Sequence, residues 1–120
     1  MNGNVDGAGR ALAVLRVRSS EDAEPGELTV WIDTAFTGEL VIPRERIEAL
    51  GLPQSAAVLA GLADGREVVL DSYSCLIEWF GEPRLVEVIE NDGGFPLLGV
   101  GLLREHRLKI DYRSRTVVID

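Results

Sequence analysis

Short apolar runs separated by turn-forming residues dominate the hydrophobic pattern of this chain. Residues 11–17 alternate loosely between apolar and polar side chains, while residues 28–34 and 39–42 are apolar and rich in β-branched residues. Runs of this length and composition are typical of β-strands. The polar, acidic segment 19–26 contains Pro and Gly, and it predicts a loop between the first two strands.

Two short helices are predicted among the strands. Pro43 is suited to the start of a helix, and the amphipathic segment 44–50 that follows would direct Ile47 and Leu50 inward. Gly51 then predicts the end of this helix. Residues 100–107 predict the second helix, directly after a short apolar run.

Three hairpins complete the predicted pattern. An Asp-Gly pair at 64–65 separates the β-like runs 57–62 and 66–73, and this pair is a strong hairpin signal. The turns of the other two hairpins are expected at 80–83 and 113–115. Because most of the chain is then β-structure, the predicted fold class is an all-β barrel-like or sandwich domain.

Length and charge limit the kinds of protein that this chain can be. Its 120 residues fit one domain, expected at residues 11–120 after a flexible N-terminal tail at residues 1–10. The net charge of −8, with scattered basic residues, argues against a nucleic-acid partner. No apolar run reaches the roughly 18 residues of a membrane span. Residues 1–7 lack the basic and apolar regions of a secretion signal, so we expect a cytoplasmic protein without a membrane partner.

The single Cys and the single His offer little chemistry. Cys75 lies in an apolar run, where a small buried hydrophobic residue is expected. His106 lies in another kind of segment, and its simplest place is a solvent-facing position at the end of a helix. A nucleophilic Cys–His pair is therefore disfavoured. One His and one Cys also give no metal-ligand spacing, so no metal and no cofactor is expected.

An acid at the end of a predicted strand is the most informative feature of the chain. Asp33 follows an apolar run and precedes Thr34 and Ala35. An ionised carboxylate at the end of a buried strand is costly unless it is hydrogen-bonded or paired, which makes Asp33 a candidate site residue. The alternative is a turn residue, because Asp often ends a strand by bonding its own backbone two residues on.

Three segments, in this order, resemble the retropepsin-like aspartic proteases, the family of the retroviral proteases and of small single-domain prokaryotic relatives. Residues 32–38 resemble the catalytic Asp-Thr/Ser-Gly loop, and residues 62–66 fall where the family has its flap hairpin. Residues 97–107 resemble the paired-apolar-Gly element and the helix after it, and residues 108–119 resemble the small prokaryotic members. The resemblance implies an all-β, retropepsin-like closed or half-barrel fold with one or two short helices.

The resemblance also implies site residues and a partner. The catalytic residues would be Asp33, Thr34 and Ala35, and the flap and substrate-binding residues would be Leu62, Ala63, Asp64, Gly65, Leu97, Leu98 and Gly99. Because the chain has one well-placed acid, activity would need a two-fold homodimer in which two carboxylates share a proton around one water. Much of the interface would come from the chain ends and from the loop around Thr34, whose hydroxyl would brace the dyad.

Several interpretations remain open at this point. Ala35 departs from the family pattern, which usually has Gly there, and it adds a methyl group beside the substrate water. The favoured function is an aspartic endopeptidase that cleaves an extended peptide, and the runner-up is a dimeric domain of the same fold that only binds peptide or protein. A third interpretation is a structural β-domain in which Asp33 is a turn residue, residues 64–65 are a plain tight turn and Leu98 is only core.

Overall fold

The computed structural model of the chain describes residues 1–61 and 63–120, and for residues 56–60, 68 and 70 it describes the backbone alone. Leu62, one of the candidate substrate-binding residues, lies outside the described residues. In the described part the order of elements is β1 Asn2–Val5, β2 Ala11–Arg18, β3 Gly26–Ile32, β4 Leu40–Pro43, α1 Arg44–Leu50, β5 Gln54–Gly61, β6 Glu67–Trp79, β7 Glu82–Asn91, β8 Leu97–Leu98, α2 Val100–Leu103, β9 Leu108–Asp111 and β10 Thr116–Ile119.

Six of these strands form a closed barrel. The strand order is β5-β6-β7-β4-β8-β3-β2-β1-β10-β9, and an additional pairing of β6 with β2 closes the ring. In that antiparallel pairing, Val17 lies opposite Ile77 and Arg18 lies opposite Leu76. Strand β5 extends the sheet beyond β6, and β1, β10 and β9 extend it beyond β2. The predicted all-β, barrel-like class is therefore confirmed.

Alternate residues of the barrel strands point into one core. Strands β2 and β3 alternate between buried and exposed positions over most of their length, as expected for strands with one face on a core. Burying a large aliphatic side chain contributes roughly 1.5–3 kcal/mol, so this core is the main source of stability. Among the side chains that the structure describes, the apolar ones with no solvent exposure are Val17, Leu28, Val30, Leu40, Ile42, Cys75, Val88, Leu98, Leu102 and Ile119.

The first helix follows the prediction closely. Helix α1 spans Arg44–Leu50 with Ile47 buried, and Pro43 ends β4 immediately before it. Gly51 adopts a left-handed φ of 65°, and its N–H donates to the carbonyl of Glu48. This conformation suits Gly because it has no Cβ, and it ends the helix where the sequence indicated.

The expected flexible tail at residues 1–10 is wrong. Residues 2–5 form β1, which lies between β10 and β2 and pairs antiparallel with both strands. A Cβ added to Gly3 would lie 2.0 Å from the carbonyl oxygen of Leu12, so the absence of a side chain lets β1 approach β2 closely. The polar sequence of this segment does not predict a strand, because β1 is stabilised by pairing with the distant end of the chain.

The second helix is shorter than predicted. It was expected at residues 100–107, but α2 contains only Val100–Leu103, with Leu102 and Leu103 buried. The next residue, Arg104, has an extended ψ of 138°, and Glu105 has a positive φ of 67°. The helix ends once its two leucines are in the core, and the chain then turns toward β9.

The prediction that His106 faces solvent is also wrong. The side chain is half-buried, and Trp79 Nε1 donates to its Nε2 at 3.3 Å. The imidazole stacks on Phe80 with a centroid distance of 4.6 Å. These contacts lie at the tip of the β6–β7 hairpin, so His106 ties that tip to the segment after α2.

The predicted hairpins are present, with a tighter second turn. The turn expected at 80–83 contains only Phe80 and Gly81, with φ of 52° and 83°. Positive φ at both turn residues is the two-residue hairpin geometry that matches strand twist. Glu82 and Pro83 belong to β7, and the predicted run 66–73 lies almost wholly in β6, which continues to Trp79.

Candidate active site

Asp33 immediately follows the last residue of β3, and its carboxylate is held by a short turn. Its own N–H donates to the carbonyl of Leu98 at 2.9 Å, which anchors its backbone to β8. The N–H of Ala35 donates to Asp33 Oδ1 at 2.9 Å. Asp33 is half-buried, whereas Thr34 and Ala35 are exposed. The carboxylate therefore has a defined orientation at the surface of the barrel.

Backbone hydrogen bonds brace the loop at 33–39 against the segment that follows β8. Gly99 N–H donates to Glu39, Val100 N–H to Phe36 and Gly101 N–H to Gly38, at 2.8 to 2.9 Å. A Cβ on Gly99 would lie 2.3 Å from the carbonyl oxygen of Gly38. The two segments therefore cross in backbone contact, and Gly is needed at the crossing.

Glu39, which was not among the residues predicted for the site, links this loop to β7. Its Oε1 accepts the backbone N–H of Glu87 at 2.8 Å, and its Oε2 accepts from Arg84 at 3.3 Å. The signal available in the sequence was an acid between a Gly and an apolar strand. Because Glu39 and Glu87 are far apart along the chain, only the fold brings them together.

An apolar row lies beside Asp33 on the outer face of the barrel. The strand registers align its members as neighbours across β2, β3, β8, β4 and β7. Trp31, the member nearest to Asp33 along the chain, is 40% exposed, and Asp33 follows the end of its strand two residues later. We call this set the outer row, and its members are Leu12, Trp31, Leu97, Val41 and Ile89.

An aromatic and cationic cluster extends the outer row. Phe95 packs edge-to-face on Trp31 with a centroid distance of 6.3 Å. The guanidinium carbon of Arg10 lies 4.4 Å from the ring centroid of Phe95, within the range of cation–π attraction. Asp6 fixes Arg10 through an ion pair of 2.8 Å. The face beside Asp33 thus combines apolar surface with one oriented cation.

The candidate flap and substrate-binding residues occupy two places in the fold. Ala63, Asp64 and Gly65 form the turn between β5 and β6, with Gly65 at φ 86° and Asp64 Oδ1 accepting the N–H of Arg66 at 3.1 Å. Leu97, Leu98 and Gly99 lie at the base of the loop at 33–39, where Leu98 is fully buried and Leu97 is half-buried. Leu97, Leu98 and Gly99 therefore adjoin Asp33, whose N–H donates to the carbonyl of Leu98.

Other reactive groups do not form a second centre in the part of the chain that is described. Cys75 is fully buried, and burial, with a smaller effect from the charge of Glu39, raises the pKa of its thiol to about 12. Such a thiol stays protonated and unreactive near neutral pH. Among residues 1–61 and 63–120, no cluster of three or more His, Cys, Asp or Glu side chains has the arrangement of a metal site.

A surface cavity of about 400 Å³ opens beside the loop after β7, but Asp33 does not line it. Its walls are the start of α1 and the glycine-rich segment before β8. Asp33 and Trp31 instead lie at the surface of the single chain, where Asp33 is half-buried and Trp31 is 40% exposed. Within the described ranges, no helix is long and apolar enough to cross a membrane.

No protein-family model and no curated protein matches the chain in sequence. Many solved structures are similar to it, and three of them match most of its length. A retropepsin-like aspartic protease from Rickettsia conorii has a TM-score of 0.68 and 14% identity, covering 99% of this chain and 88% of that chain. The EIAV protease complexed with the inhibitor HBY-793 has a TM-score of 0.57 and 19% identity, covering 80% and 86%. The solution structure of the simian foamy virus (mac) protease has a TM-score of 0.52 and 17% identity, covering 77% and 90%.

These similarities show that the chain has the retropepsin-like aspartic protease fold. The similarity to the Rickettsia protein covers nearly the whole chain. The closed β-barrel with two short helices, expected from the resemblance of three sequence segments, is confirmed at the level of the fold.

Proposed function

We propose that this protein is an aspartic endopeptidase that acts as a homodimer, with one Asp33 from each chain. The main support is the orientation of Asp33, whose carboxylate accepts the N–H of Ala35 on a loop pinned by the segment after β8. The retropepsin-like fold supplies the second argument. The chain offers one acid of this kind, so two chains are needed to surround a water with two carboxylates.

The chemistry follows from bringing two carboxylates together. Held close, they share one proton, because two adjacent negative charges are mutually unfavourable. The ionised Asp33 removes a proton from the water, which attacks the scissile carbonyl, while the protonated Asp33 donates a hydrogen bond to the carbonyl oxygen. Thr34, exposed beside the acid, braces the loop across the two-fold axis through its hydroxyl.

The substrate is an extended peptide with apolar or aromatic side chains near the cleaved bond. The outer row supplies an apolar floor that begins two residues from Asp33, and the rings of Trp31 and Phe95 widen it. An extended peptide can pair with strand edges while its alternate side chains contact such a floor. In this proposal Leu62, Ala63, Asp64 and Gly65 belong to the flap that covers the peptide.

Ala35 is compatible with this role. Its φ is negative, so its backbone conformation does not require Gly. Its N–H already donates to Asp33, and replacing Gly by Ala removes no donor. The second candidate function, peptide binding without cleavage, rests on the added methyl group, because Ala35 is exposed where water and substrate would approach.

Digestion of a peptide library by the purified protein tests the proposal, with Asp33→Asn as the inactive variant. Asn keeps the oxygen that accepts the N–H of Ala35, so the fold should persist, and removing a repelled charge should hold or raise the melting temperature near neutral pH. We expect cleavage to fall by at least roughly 10²–10⁴-fold, the usual contribution of acid–base catalysis. Asp22→Asn, in an exposed loop, is the matched control and should cleave normally.

The outcomes separate the three interpretations. Cleavage by the parent and by Asp22→Asn, but not by Asp33→Asn, supports the peptidase. Peptide binding without cleavage in all three proteins supports the binding domain. Loss of folding in Asp33→Asn, with no peptide binding by the parent, supports a structural turn.

A further inference from the structure

The β6–β7 hairpin ends in a turn whose backbone conformation does not suit its first residue. Phe80 and Gly81 both have positive φ, of 52° and 83°. Turns of this kind prefer Asn, Asp or Gly, because a bulky side chain at positive φ is strained. Such a conformation persists only where surrounding contacts hold it. The contacts of the Phe80 ring must therefore hold the turn.

Those contacts come from outside the hairpin. The imidazole of His106 stacks on Phe80 with the ring planes 8° apart and the centroids separated by 4.6 Å. Trp79 packs edge-on against both rings, at centroid distances of 5.1 and 5.5 Å. The backbone N–H of His106 donates to the carbonyl of Leu103 at 3.0 Å, which fixes its position relative to α2. We call Trp79, Phe80 and His106 the tip cluster, and it joins the hairpin to the segment after α2.

One hydrogen bond in the tip cluster fixes the protonation state of the imidazole. Trp79 Nε1 lies 3.3 Å from His106 Nε2. An indole N–H can only donate, so Nε2 must accept, and the neutral ring then has its proton on Nδ1. A protonated imidazole has no acceptor, because both of its nitrogens are donors. The bond therefore exists only while His106 is neutral.

Burial makes the loss of this bond costly. Trp79 is only 6% exposed, so a charged His106 would leave its indole N–H facing another donor, and a buried donor without a partner is unfavourable. A cation stacked on Phe80 would gain some cation–π attraction. Phe80 is 44% exposed, however, and the attraction is weak at exposed sites. The charged ring therefore fits the tip cluster less well than the neutral ring.

Charged side chains flank the tip cluster on both of the segments that form it. Those of the hairpin and of the segment after α2 are Glu78, Glu82, Arg104, Glu105 and Arg107. Glu78 pairs with Arg16, and Arg107 pairs with Asp120. Glu82 lies opposite Trp79 in the β6–β7 ladder, which places the two on one face. Because Glu82 is exposed, as are Arg104 and Glu105, water screens its attraction for a charged imidazole.

We propose that His106 is a pH-sensitive switch, in which protonation of the ring breaks the bond from Trp79 and releases the strained turn at Phe80 from the segment after α2. Histidine is the side chain whose charge ordinarily changes between about pH 5 and 8, so mild acidification is the signal. Helix α2 begins with Val100, whose N–H braces the loop at 33–39. The switch thus adjoins the segment that positions Asp33, but it does not depend on the proposed function.

An NMR titration of the ¹⁵N-labelled protein between about pH 8 and pH 5 tests the switch. His106 is the single His of the chain, so its ring signals are unambiguous, and their ¹⁵N shifts identify the tautomer. Trp31→Phe distinguishes the indole signal of Trp79 from that of the other Trp. We expect the proton on Nδ1 at the alkaline end. When the ring becomes protonated, exchange of the Trp79 indole hydrogen, corrected for its intrinsic rate, should accelerate by about tenfold.

Three variants separate the hydrogen bond from the other contacts. His106→Gln keeps an accepting oxygen that does not titrate, so the indole should stay protected across the whole pH range. His106→Phe keeps a ring on Phe80 but has no acceptor, so the indole should exchange rapidly even at the alkaline end. Glu82→Gln is the control for the neighbouring acid, and its response should match that of the parent.

Each contrary result overturns the inference in a different way. A proton on Nε2 at the alkaline end contradicts the bond from Trp79. Indole exchange that stays constant while the ring titrates shows that the bond does not hold the turn. The same pH response in His106→Gln assigns the response to another group. If that variant does not fold, the ring and indole signals of the unchanged cluster still decide. None of these measurements involves cleavage, so the failure of the proposed peptidase would leave the switch intact.

Discussion

Asp33 accepts a hydrogen bond from the residue two positions later, and Asp6 makes the same kind of turn elsewhere in the chain. Asp6 Oδ1 accepts the N–H of Ala8 at 3.0 Å, as Asp33 Oδ1 accepts that of Ala35 at 2.9 Å. At the scale of one residue, a turn role and a site role are therefore compatible. The distinction lies in the surroundings, because Asp6 binds Arg10 whereas Asp33 adjoins the outer row.

We predict that Ala35→Gly raises the turnover of the proposed peptidase. The change removes a methyl group from an exposed loop that approaches the water and the peptide. Gly also has more freedom in the unfolded chain, so the free energy of unfolding should fall by roughly 0.5–1 kcal/mol. Steady-state kinetics and thermal unfolding measure the two effects.

Ala8→Gly is the matched control for that prediction. Ala8 is also exposed and donates to an aspartate two residues earlier, so the loss of stability should be similar and turnover should not change. Unchanged or lower turnover in Ala35→Gly would mean that the methyl group does not obstruct the site.

At the scale of elements, the crossing of two segments sets the position of Asp33. We predict that Gly99→Ala destabilises the protein by about 1–3 kcal/mol, the usual cost of overpacking, because the new Cβ would meet the carbonyl oxygen of Gly38 at 2.3 Å. Gly7→Ala is the control, since nothing lies within 4 Å of its added Cβ. Chemical denaturation measures both variants, and equal stabilities would contradict a tight crossing.

The terminal sheet formed by β1, β10 and β9 should be sensitive to acid. Aspartates at its turns and its end have a pKa below the ordinary value of 3.8. The main causes are the backbone N–H of Arg10 for Asp6, the N–H of Ser114 for Asp111 and the guanidinium of Arg107 for Asp120. A carboxylate with a lowered pKa stabilises the fold fully above the unfolded pKa, and this contribution is lost as pH falls through the folded pKa.

We therefore predict that the amides of β10 lose hydrogen-exchange protection below about pH 3.8 before those of the barrel strands do. Protection factors corrected for the intrinsic exchange rate measure this loss strand by strand. Asp111→Asn, which keeps the accepting oxygen without a titrating charge, should reduce the pH dependence. A uniform loss across all strands would argue against a separate acid response of the terminal sheet.

At the scale of the whole molecule, charge opposes the proposed dimer. Each chain has a net charge of −8, so two chains repel each other at long range. We predict that dimerisation strengthens between about 0.01 and 0.15 M salt, as the Debye length falls from about 30 to about 8 Å. Sedimentation velocity at several protein concentrations measures the dissociation constant. Weaker association in salt would mean that local ion pairs outweigh the overall repulsion.

The sequence by itself determined the local elements of this protein. Apolar runs predicted the barrel strands, Gly51 predicted the end of α1, and an Asp-Gly pair predicted the first hairpin, because each signal acts over a few residues. The place of Asp33 directly after a buried strand was also readable, as was the burial of Cys75.

Only the tertiary structure decided the features that depend on distant partners. Strand β1 has no apolar pattern and exists because β10 and β2 satisfy its backbone, while α2 stops early because the chain turns once its leucines are buried. Closure of the barrel pairs Val17 with Ile77, and the registers of five strands place the members of the outer row side by side. Hydrogen bonding and burial between residues far apart in sequence set these features, so no local pattern encodes them.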